Sequence, residues 1–186
     1  MTMKSGIRIL AIDDSKFNRG DKSVLVVGVV ERLGIVEGVL SCRVEADGNN
    51  ATSKISRMIS GSRFREQLRL IAINGTTVAG TNVVDITKIH SRFGLPVIAV
   101  TRKRPHPRML RASINAAKKK GYAEKAAIID KISKVSDINR VSGFYLQSVG
   151  AVGSVVAKHI ENAVGALRLA HIIAGGVSRG ESRGRL

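Results

Sequence analysis

The alternation of apolar and polar segments in the first fifty residues predicts three β-strands. Residues 7–12 and 23–32 are almost wholly apolar, and residues 35–46 follow after a short turn at Leu33-Gly34. Apolar runs of this length that are rich in Val and Ile are typical of buried strands. Because the link between the second and third segments is so short, we expect these two to pair as an antiparallel hairpin.

Beyond residue 50 the pattern alternates between helices and strands. Helices are predicted where apolar residues recur every three or four positions, and strands where short apolar runs stand between turn residues. The predicted helices are 51–64, 82–93, 108–120, 123–134 and 151–174, and the predicted strands are 69–73, 96–101 and a short one at 143–149. We expect one domain over residues 1–186, with an irregular basic tail rich in Gly, Arg and Ser at 175–186.

This order predicts an α/β fold on a mixed sheet, in which three antiparallel strands are followed by parallel strands and helices flank the sheet. With right-handed crossovers, the carboxyl ends of the first, third, fourth and fifth strands meet at one edge. Ligands of open α/β sheets bind at such an edge. The polar groups that we expect there are Asp13, Asp47, Asn74 and the loop 102–107.

The charge of the chain indicates a polyanionic partner. It has 31 Lys and Arg against 14 Asp and Glu, a formal net charge of +17 and a pI of about 11.0. The whole excess lies after residue 50 and is densest over residues 102–125, where Glu124 is the one acidic residue. A surface so poor in acids favours contact with nucleic acid. A charged surface without a specific partner is the alternative interpretation.

Composition also narrows the class of function. Aromatic residues make up only 3% of the chain, which disfavours a single-strand-binding module built on stacked bases. Cys42 is the single cysteine, so we expect no intramolecular disulfide, no zinc site and a cytoplasmic location. We expect neither a signal peptide nor a membrane partner, since no run of 18 apolar residues occurs. Without Walker A or Rossmann motifs, we expect no nucleotide cofactor.

Carboxylates at strand ends are the candidate metal ligands. Asp13 and Asp14 follow the first apolar run, and because neighbours in a strand point to opposite faces, we expect only Asp13 to face the site. Asp47 ends the third strand, and Asp85 lies in an apolar helical run, where a buried carboxylate needs a partner. Such oxygens hold Mg²⁺ or Mn²⁺ against a phosphate. Turn formation and helix capping are the alternative roles for these aspartates.

Basic residues after the fifth strand are the candidate nucleic-acid ligands. Lys103 is the candidate catalytic cation, since a lysine near a scissile phosphate stabilises developing negative charge. His171, on the polar stripe of the last predicted helix, is a candidate metal ligand. The residues expected to contact nucleic acid are Asn74, Arg102, Lys103, Arg104, Arg108, Lys118, Lys119 and Lys120. A solvated basic loop and a structural histidine are the alternatives.

Several separated segments together resemble the archaeal endonuclease dU family. They are Ile-Leu-Ala-Ile-Asp-Asp (9–14), Val-Glu-Ala-Asp-Gly-Asn-Asn-Ala-Thr (44–52), Ile-Asn-Gly-Thr-Thr-Val-Ala-Gly-Thr-Asn-Val-Val-Asp (73–85), Leu-Pro-Val-Ile-Ala-Val-Thr-Arg-Lys-Arg-Pro (95–105) and the tail from Leu167 to Arg185. The resemblance extends over nearly the whole chain. It implies an RNase H-like fold similar to endonuclease V, and metal-dependent cleavage of DNA that contains deoxyuridine.

The resemblance also implies roles for single residues. The first-strand metal aspartate of endonuclease V corresponds to Asp13. The fourth-strand Asp-Gly of that enzyme falls on Asn74-Gly75, so an amide stands in the place of a metal carboxylate. Asp47 is then the first candidate to replace that carboxylate, and Asp85 is the second.

Two further positions follow from the same resemblance. The fifth-strand lysine of endonuclease V falls at or beside Arg102 and Lys103, and the metal ligand on the final helix falls at His171. We therefore expect an endodeoxyribonuclease that depends on Mg²⁺ or Mn²⁺ and acts on deaminated DNA in repair. A non-catalytic nucleic-acid-binding protein on the same fold is the alternative, motivated by Asn74, and RNA processing is a third interpretation.

Overall fold

A computed structural model of the chain describes residues 6–18, 20–104, 112, 115, 122–135, 138–150 and 153–182. The elements over these residues are, in chain order, β1 (Arg8–Asp14), β2 (Ser23–Arg32), β3 (Ile35–Glu45), α1 (Ala51–Ser60), a 3-10 turn (Arg65–Gln67), β4 (Leu68–Asn74), β5 (Thr77–Val78), β6 (Asn82–Val83), α2 (Ile86–Phe93), β7 (Val97–Thr101), α3 (Ala123–Val135), β8 (Ile138–Val141), β9 (Phe144–Val149) and α4 (Gly153–Arg179). The helix predicted at 108–120 lies outside the described residues, apart from two isolated positions.

Seven of these strands form one mixed sheet in the order β3-β2-β1-β4-β7-β9-β8. β2 is antiparallel to both β1 and β3, whereas β4 is parallel to β1 and β7 is parallel to β4. β9 is antiparallel to β7 and forms a hairpin with β8. The predicted α/β class, with three antiparallel strands followed by parallel ones, is therefore confirmed.

Alternate residues of the central strands face two separate apolar cores. Leu10 and Ile12 of β1 pack in the core that contains residues of α1 and α2, whereas Ile9 and Ala11 pack in the core beneath α4. All four are at most 1% exposed. Strands that are covered on both faces have little room for polar residues, and this explains the unbroken apolar runs from which they were predicted.

The helix predicted over 82–93 is shorter in the structure. Its first residues form β6, which pairs antiparallel with β5 in a separate two-stranded sheet, and the helix begins only at Ile86. Asp85 accepts hydrogen bonds from the first turn, so it ends the strand-like segment and starts the helix. The extra hairpin matters for the site, because it folds residues 76–83 over the carboxyl end of β1.

The last helix is longer than predicted. α4 continues to Arg179 instead of ending at residue 174, so the first part of the predicted irregular tail is helical. Ala170 and Ala174 on its inner side are fully buried, and these small residues allow the helix to lie close to β1 and β2. Within the described residues, no helix combines the length and the hydropathy that a membrane crossing requires.

Candidate functional site

Asp13 is the centre of a hydrogen-bonded cluster at the carboxyl end of β1. The residue is 1% exposed. Its Oδ1 accepts the backbone N–H of Asp14 at 2.8 Å, and its Oδ2 accepts Nδ2 of Asn74 at 3.1 Å and lies 3.1 Å from Nδ1 of His171. Parallel pairing of β1 with β4 brings Asn74 beside Asp13, and packing of α4 across β1 brings His171. Three residues predicted from the sequence therefore meet at one point.

Asp14 faces the same cleft as Asp13. An open pocket of about 330 Å³, here called the carboxylate cleft, is lined by Asp13, Asp14, Ser15, Lys16, Phe17, Asn74 and His171. Oδ2 of Asp14 accepts the backbone N–H of Ala79 at 2.6 Å. The prediction that only Asp13 would face the site is wrong, because alternation fixes side-chain direction inside a strand ladder and Asp14 is the last residue of β1. The Asp-Asp pair was the sequence signal for this second carboxylate.

The carboxylate cleft makes negative charge costly for both aspartates. Burial raises the pKa of Asp13 from 3.8 to about 7, and the charge of Asp14 adds to the rise, against hydrogen bonds from the Asp14 backbone and from Asn74. Burial also raises the pKa of Asp14, although the N–H of Ala79 opposes this. Two neighbouring carboxylates in such a place are stabilised in their charged form by a cation.

The donor atoms of the cleft fit a hard divalent cation. Mg²⁺ prefers oxygen ligands and is usually held by one or two carboxylates, with water and substrate phosphates completing its shell. Asp13 and Asp14 supply carboxylate oxygens, and Asn74 adds an amide oxygen because its nitrogen donates to Asp13. No set of three or more His, Cys, Asp or Glu side chains in the described part of the chain is arranged to hold a metal. The fit therefore rests on two carboxylates and one amide.

Asp47, the predicted second metal ligand, holds a loop instead of lining the carboxylate cleft. Its Oδ1 accepts the N–H of Thr81 at 2.9 Å, and its own N–H donates to the carbonyl of Ala79 at 2.9 Å. Nζ of Lys125, a residue that is 4% exposed, donates to the carbonyl of Asp47 and to Oγ1 of Thr81. The loop fixed in this way is the one whose Ala79 N–H reaches Asp14. Asp47 thus contacts the site through the backbone of this loop.

Asp85, the other predicted candidate, is the N-cap of α2. Its Oδ1 accepts the N–H groups of Thr87 and Lys88, each at 3.0 Å, and its Oδ2 lies 3.2 Å from Nζ of Lys131. Burial alone would raise the pKa of Asp85, but these hydrogen bonds and the charge of Lys131 outweigh it, and the pKa is lowered. Both carboxylate oxygens are engaged within the protein, and Asp85 does not line the carboxylate cleft. The structure supports the capping alternative.

Replacing Asp85 by Ala is expected to lower the free energy of unfolding by about 1–2 kcal/mol, the usual cost of losing an N-cap. The exposed Lys131 partner adds little, since its ion pair is screened by water. Urea unfolding near neutral pH measures the loss. Glu66→Ala, in an exposed pair with Arg65, is the matched control and should leave stability unchanged. A variant with wild-type stability but no cutting would instead make Asp85 a catalytic residue.

The loop after β7 places Arg102, rather than Lys103, beside the cluster. A second pocket of about 160 Å³, here called the side pocket, is lined by Asn74, Val100, Thr101, Arg102, Phe144, Val164, Leu167 and His171. Lys103 and Arg104 are exposed and line neither pocket. The other predicted nucleic-acid ligands, Arg108, Lys118, Lys119 and Lys120, lie outside the described residues. Phe144 had no sequence signal, because it comes from a hairpin remote in sequence from every motif.

Sequence comparison decides the family of the chain. The sequence profile described as "Endonuclease dU" matches residues 5–178, nearly the whole length. The chain belongs to the endonuclease dU family. A UPF0215 protein of Methanothermobacter thermautotrophicus is 42% identical over 193 residues, which cover 98% of this chain and 93% of that protein.

Solved structures agree with this assignment. A crystal structure of a protein from Archaeoglobus fulgidus DSM 4304 superposes with a TM-score of 0.81 and 30% identity, covering 92% of this chain and 98% of that one. A crystal structure of human endonuclease V aligns with a TM-score of 0.47 and 13% identity over 91% of this chain and 83% of the other. The resemblance predicted from the motifs is thus confirmed. Membership of the family makes the protein an endonuclease, among nucleases that act on DNA.

Proposed function

We propose that this endonuclease cuts the phosphodiester backbone of DNA at a deaminated base, deoxyuridine, with Mg²⁺ or Mn²⁺ held by Asp13 and Asp14 as part of DNA repair. The observation that carries the proposal is the buried carboxylate pair in an open cleft, shared with Asn74 and His171, on a chain of net charge +17. A basic protein attracts the polyanionic backbone, and a carboxylate pair with raised pKa values attracts a cation. The family supplies the substrate class.

Each residue of the carboxylate cleft has a distinct part in this proposal. A bound divalent ion supplies Lewis acidity, which activates a water molecule and neutralises charge on the phosphate. Asp13 and Asp14 provide the oxygen ligands for it. Asn74 orients Oδ2 of Asp13 through its amide nitrogen, and His171 contacts the same oxygen through Nδ1. The His171 ring lines the cleft, where it is placed to hold a proton for the leaving oxygen.

Arg102 is proposed as the cation that binds the phosphate at this site. Replacing Arg102 by Ala is expected to lower the rate of cutting by about 10- to 100-fold, because a preorganised donor near the developing charge is lost. The matched control is Lys103→Ala, one residue along in the same loop and outside both pockets, which should cut at nearly the wild-type rate. Single-turnover rates on one duplex compare the two variants. A larger loss in Lys103→Ala would restore the lysine as the catalytic cation.

The proposal is tested with labelled duplexes that carry one deoxyuridine, one deoxyinosine or no lesion, each with Mg²⁺ and with EDTA. We expect cutting only with Mg²⁺ and only at the deoxyuridine. A matched RNA duplex serves as a further substrate and should stay intact. Cutting of every duplex alike would contradict lesion recognition, and undiminished cutting in EDTA would contradict the metal.

A further inference from the structure

The side pocket and the carboxylate cleft are neighbours that share a wall. Asn74 and His171 line both of them. A ligand in the side pocket therefore lies next to whatever the carboxylates hold, separated by two side chains. For a nucleic acid, the group adjacent to a backbone phosphate is a sugar with its base. This continuity makes a base the natural occupant of the side pocket when a phosphate is at the cleft.

The size of the side pocket limits what it can hold. Its volume of about 160 Å³ is well under the ~300 Å³ at which pockets for drug-sized ligands begin. The walls are mostly apolar, from Val100, Val164 and Leu167, with the aromatic ring of Phe144 added. A flat, small and largely apolar ring with a polar edge matches these walls. A two-ring purine is a poor match.

We propose that the side pocket receives the single pyrimidine ring of deoxyuridine, turned out of the base stack, while the adjoining phosphate lies at Asp13 and Asp14. This inference rests on the proposed function and adds the base-recognition subsite to it. A base that must be inspected on all sides has to leave the stack, at a cost of a few kcal/mol that the pocket offsets by stacking and hydrogen bonding. Phe144 supplies the aromatic surface for that stacking.

Polar atoms at the rim suit uracil better than cytosine. Oγ1 of Thr101 lies 3.0 Å from the carbonyl of Lys103 and 3.3 Å from that of Tyr145, so its proton is committed to the backbone and its lone pairs accept. The amide nitrogen of Asn74 donates to Asp13, which leaves the amide oxygen as an acceptor. Uracil offers an N–H at ring position 3, where cytosine has a bare nitrogen. Two acceptors at the rim therefore favour the deaminated base.

Thymine differs from uracil only by a methyl group, so its exclusion depends on the apolar walls. A pocket that rejects one extra methyl discriminates by about 10- to 200-fold, and no more. Val164 is half-buried on α4 and lines the side pocket without contacting the carboxylate cluster. Its volume is therefore the adjustable part of the wall. A larger residue should close the pocket, and a smaller one should admit the thymine methyl.

The test uses Val164→Phe to fill the side pocket and Val164→Ala to enlarge it. The matched control is Val177→Phe, the same change on the same helix at a residue that is 71% exposed. The first readout is the fluorescence of 2-aminopurine placed beside the deoxyuridine, measured in EDTA so that neither metal nor cutting is involved. The second is the ratio of Mg²⁺-dependent cutting rates at deoxyuridine and at thymine.

With wild-type protein and with Val177→Phe, the fluorescence should rise on binding, because the neighbouring base has left the stack. Val164→Phe should lose this rise and lower the deoxyuridine preference by about tenfold or more. Val164→Ala should keep the rise and cut at thymine more readily. Wild-type selectivity and fluorescence in both Val164 variants would overturn the base pocket while leaving the nuclease proposal intact. Absence of metal-dependent cutting by the wild type, with the fluorescence pattern as expected, would overturn the nuclease proposal alone.

Discussion

Replacing Asp13 by Asn is expected to abolish Mg²⁺-dependent cutting and to leave DNA binding unchanged. Asp13 is the residue on which the cluster converges, and it holds contacts to Asn74 and His171 through one oxygen. Losing a metal ligand removes several kcal/mol of transition-state stabilisation. The rate should therefore fall by on the order of 10³-fold or more. Binding depends on the basic surface, which the substitution does not touch.

The measurement is a single-turnover rate on the deoxyuridine duplex, paired with fluorescence anisotropy of the same duplex in EDTA. Asp130→Asn on α3 is the matched control, since it makes the same chemical change at a half-exposed residue paired with Lys134. This control should cut and bind as the wild type does. Substantial cutting by Asp13→Asn would remove Asp13 from the metal centre, and loss of binding together with cutting would indicate a structural role.

The same Asp13→Asn substitution is expected to stabilise the metal-free protein at alkaline pH. In the unfolded chain this carboxyl ionises near its ordinary pKa of 3.8, whereas in the folded protein burial raises its pKa to about 7. The folded state therefore binds the proton more tightly. Its relative stability falls as the pH rises from about 4 to about 7, and above that the penalty is constant.

The full penalty for a shift of this size is on the order of 4 kcal/mol, and an uncharged Asn does not carry it. Urea unfolding in EDTA should show Asp13→Asn to be more stable than the wild type at pH 8.5, with a smaller difference at pH 5. Added Mg²⁺ should stabilise the wild type and not the variant. A pH-independent difference between the two proteins would contradict a buried ionised carboxylate at this position.

The strands around the site could be predicted from the sequence for a clear physical reason. β1, β2 and β4 are covered on both faces, so their segments are unbroken apolar runs, and the short turn at Leu33-Gly34 fixed the hairpin direction. The common direction of β1 and β4 then followed from connection rules. For that reason the order of the segments alone was enough to place Asp13 and Asn74 at one edge of the sheet.

The partners of Asp13 within the cleft depended on contacts that no local pattern records. Asp14 is held by the N–H of Ala79, a residue 65 positions away. Asp47 has φ +54, a left-handed conformation that turns the chain toward residues 79–81 instead of toward the cleft. Both outcomes depend on the β5–β6 hairpin, whose strands are two residues each and too short to produce a recognisable period.

Asp85 shows the opposite case, in which the sequence held the answer among its alternatives. An aspartate followed by Ile-Thr-Lys at the start of an apolar helical period is a common N-cap pattern, and the structure has that cap. The side pocket could not be predicted in the same way. Its walls come from β7, β9 and α4, and the turn between β8 and β9 that brings Phe144 into place lies far from the motifs.

Mn²⁺ titration of the protein, followed by electron paramagnetic resonance without DNA, tests the metal centre most directly. Free Mn²⁺ gives a strong signal that is lost on binding, so the measurement reports the ion itself and needs no catalysis. We predict that the wild type binds Mn²⁺, that Mg²⁺ displaces it, and that Asp13→Asn weakens the binding by about tenfold or more, as expected for the loss of a ligand. Identical titration curves for the wild type and Asp13→Asn would contradict the assignment of the carboxylate cleft as the metal site.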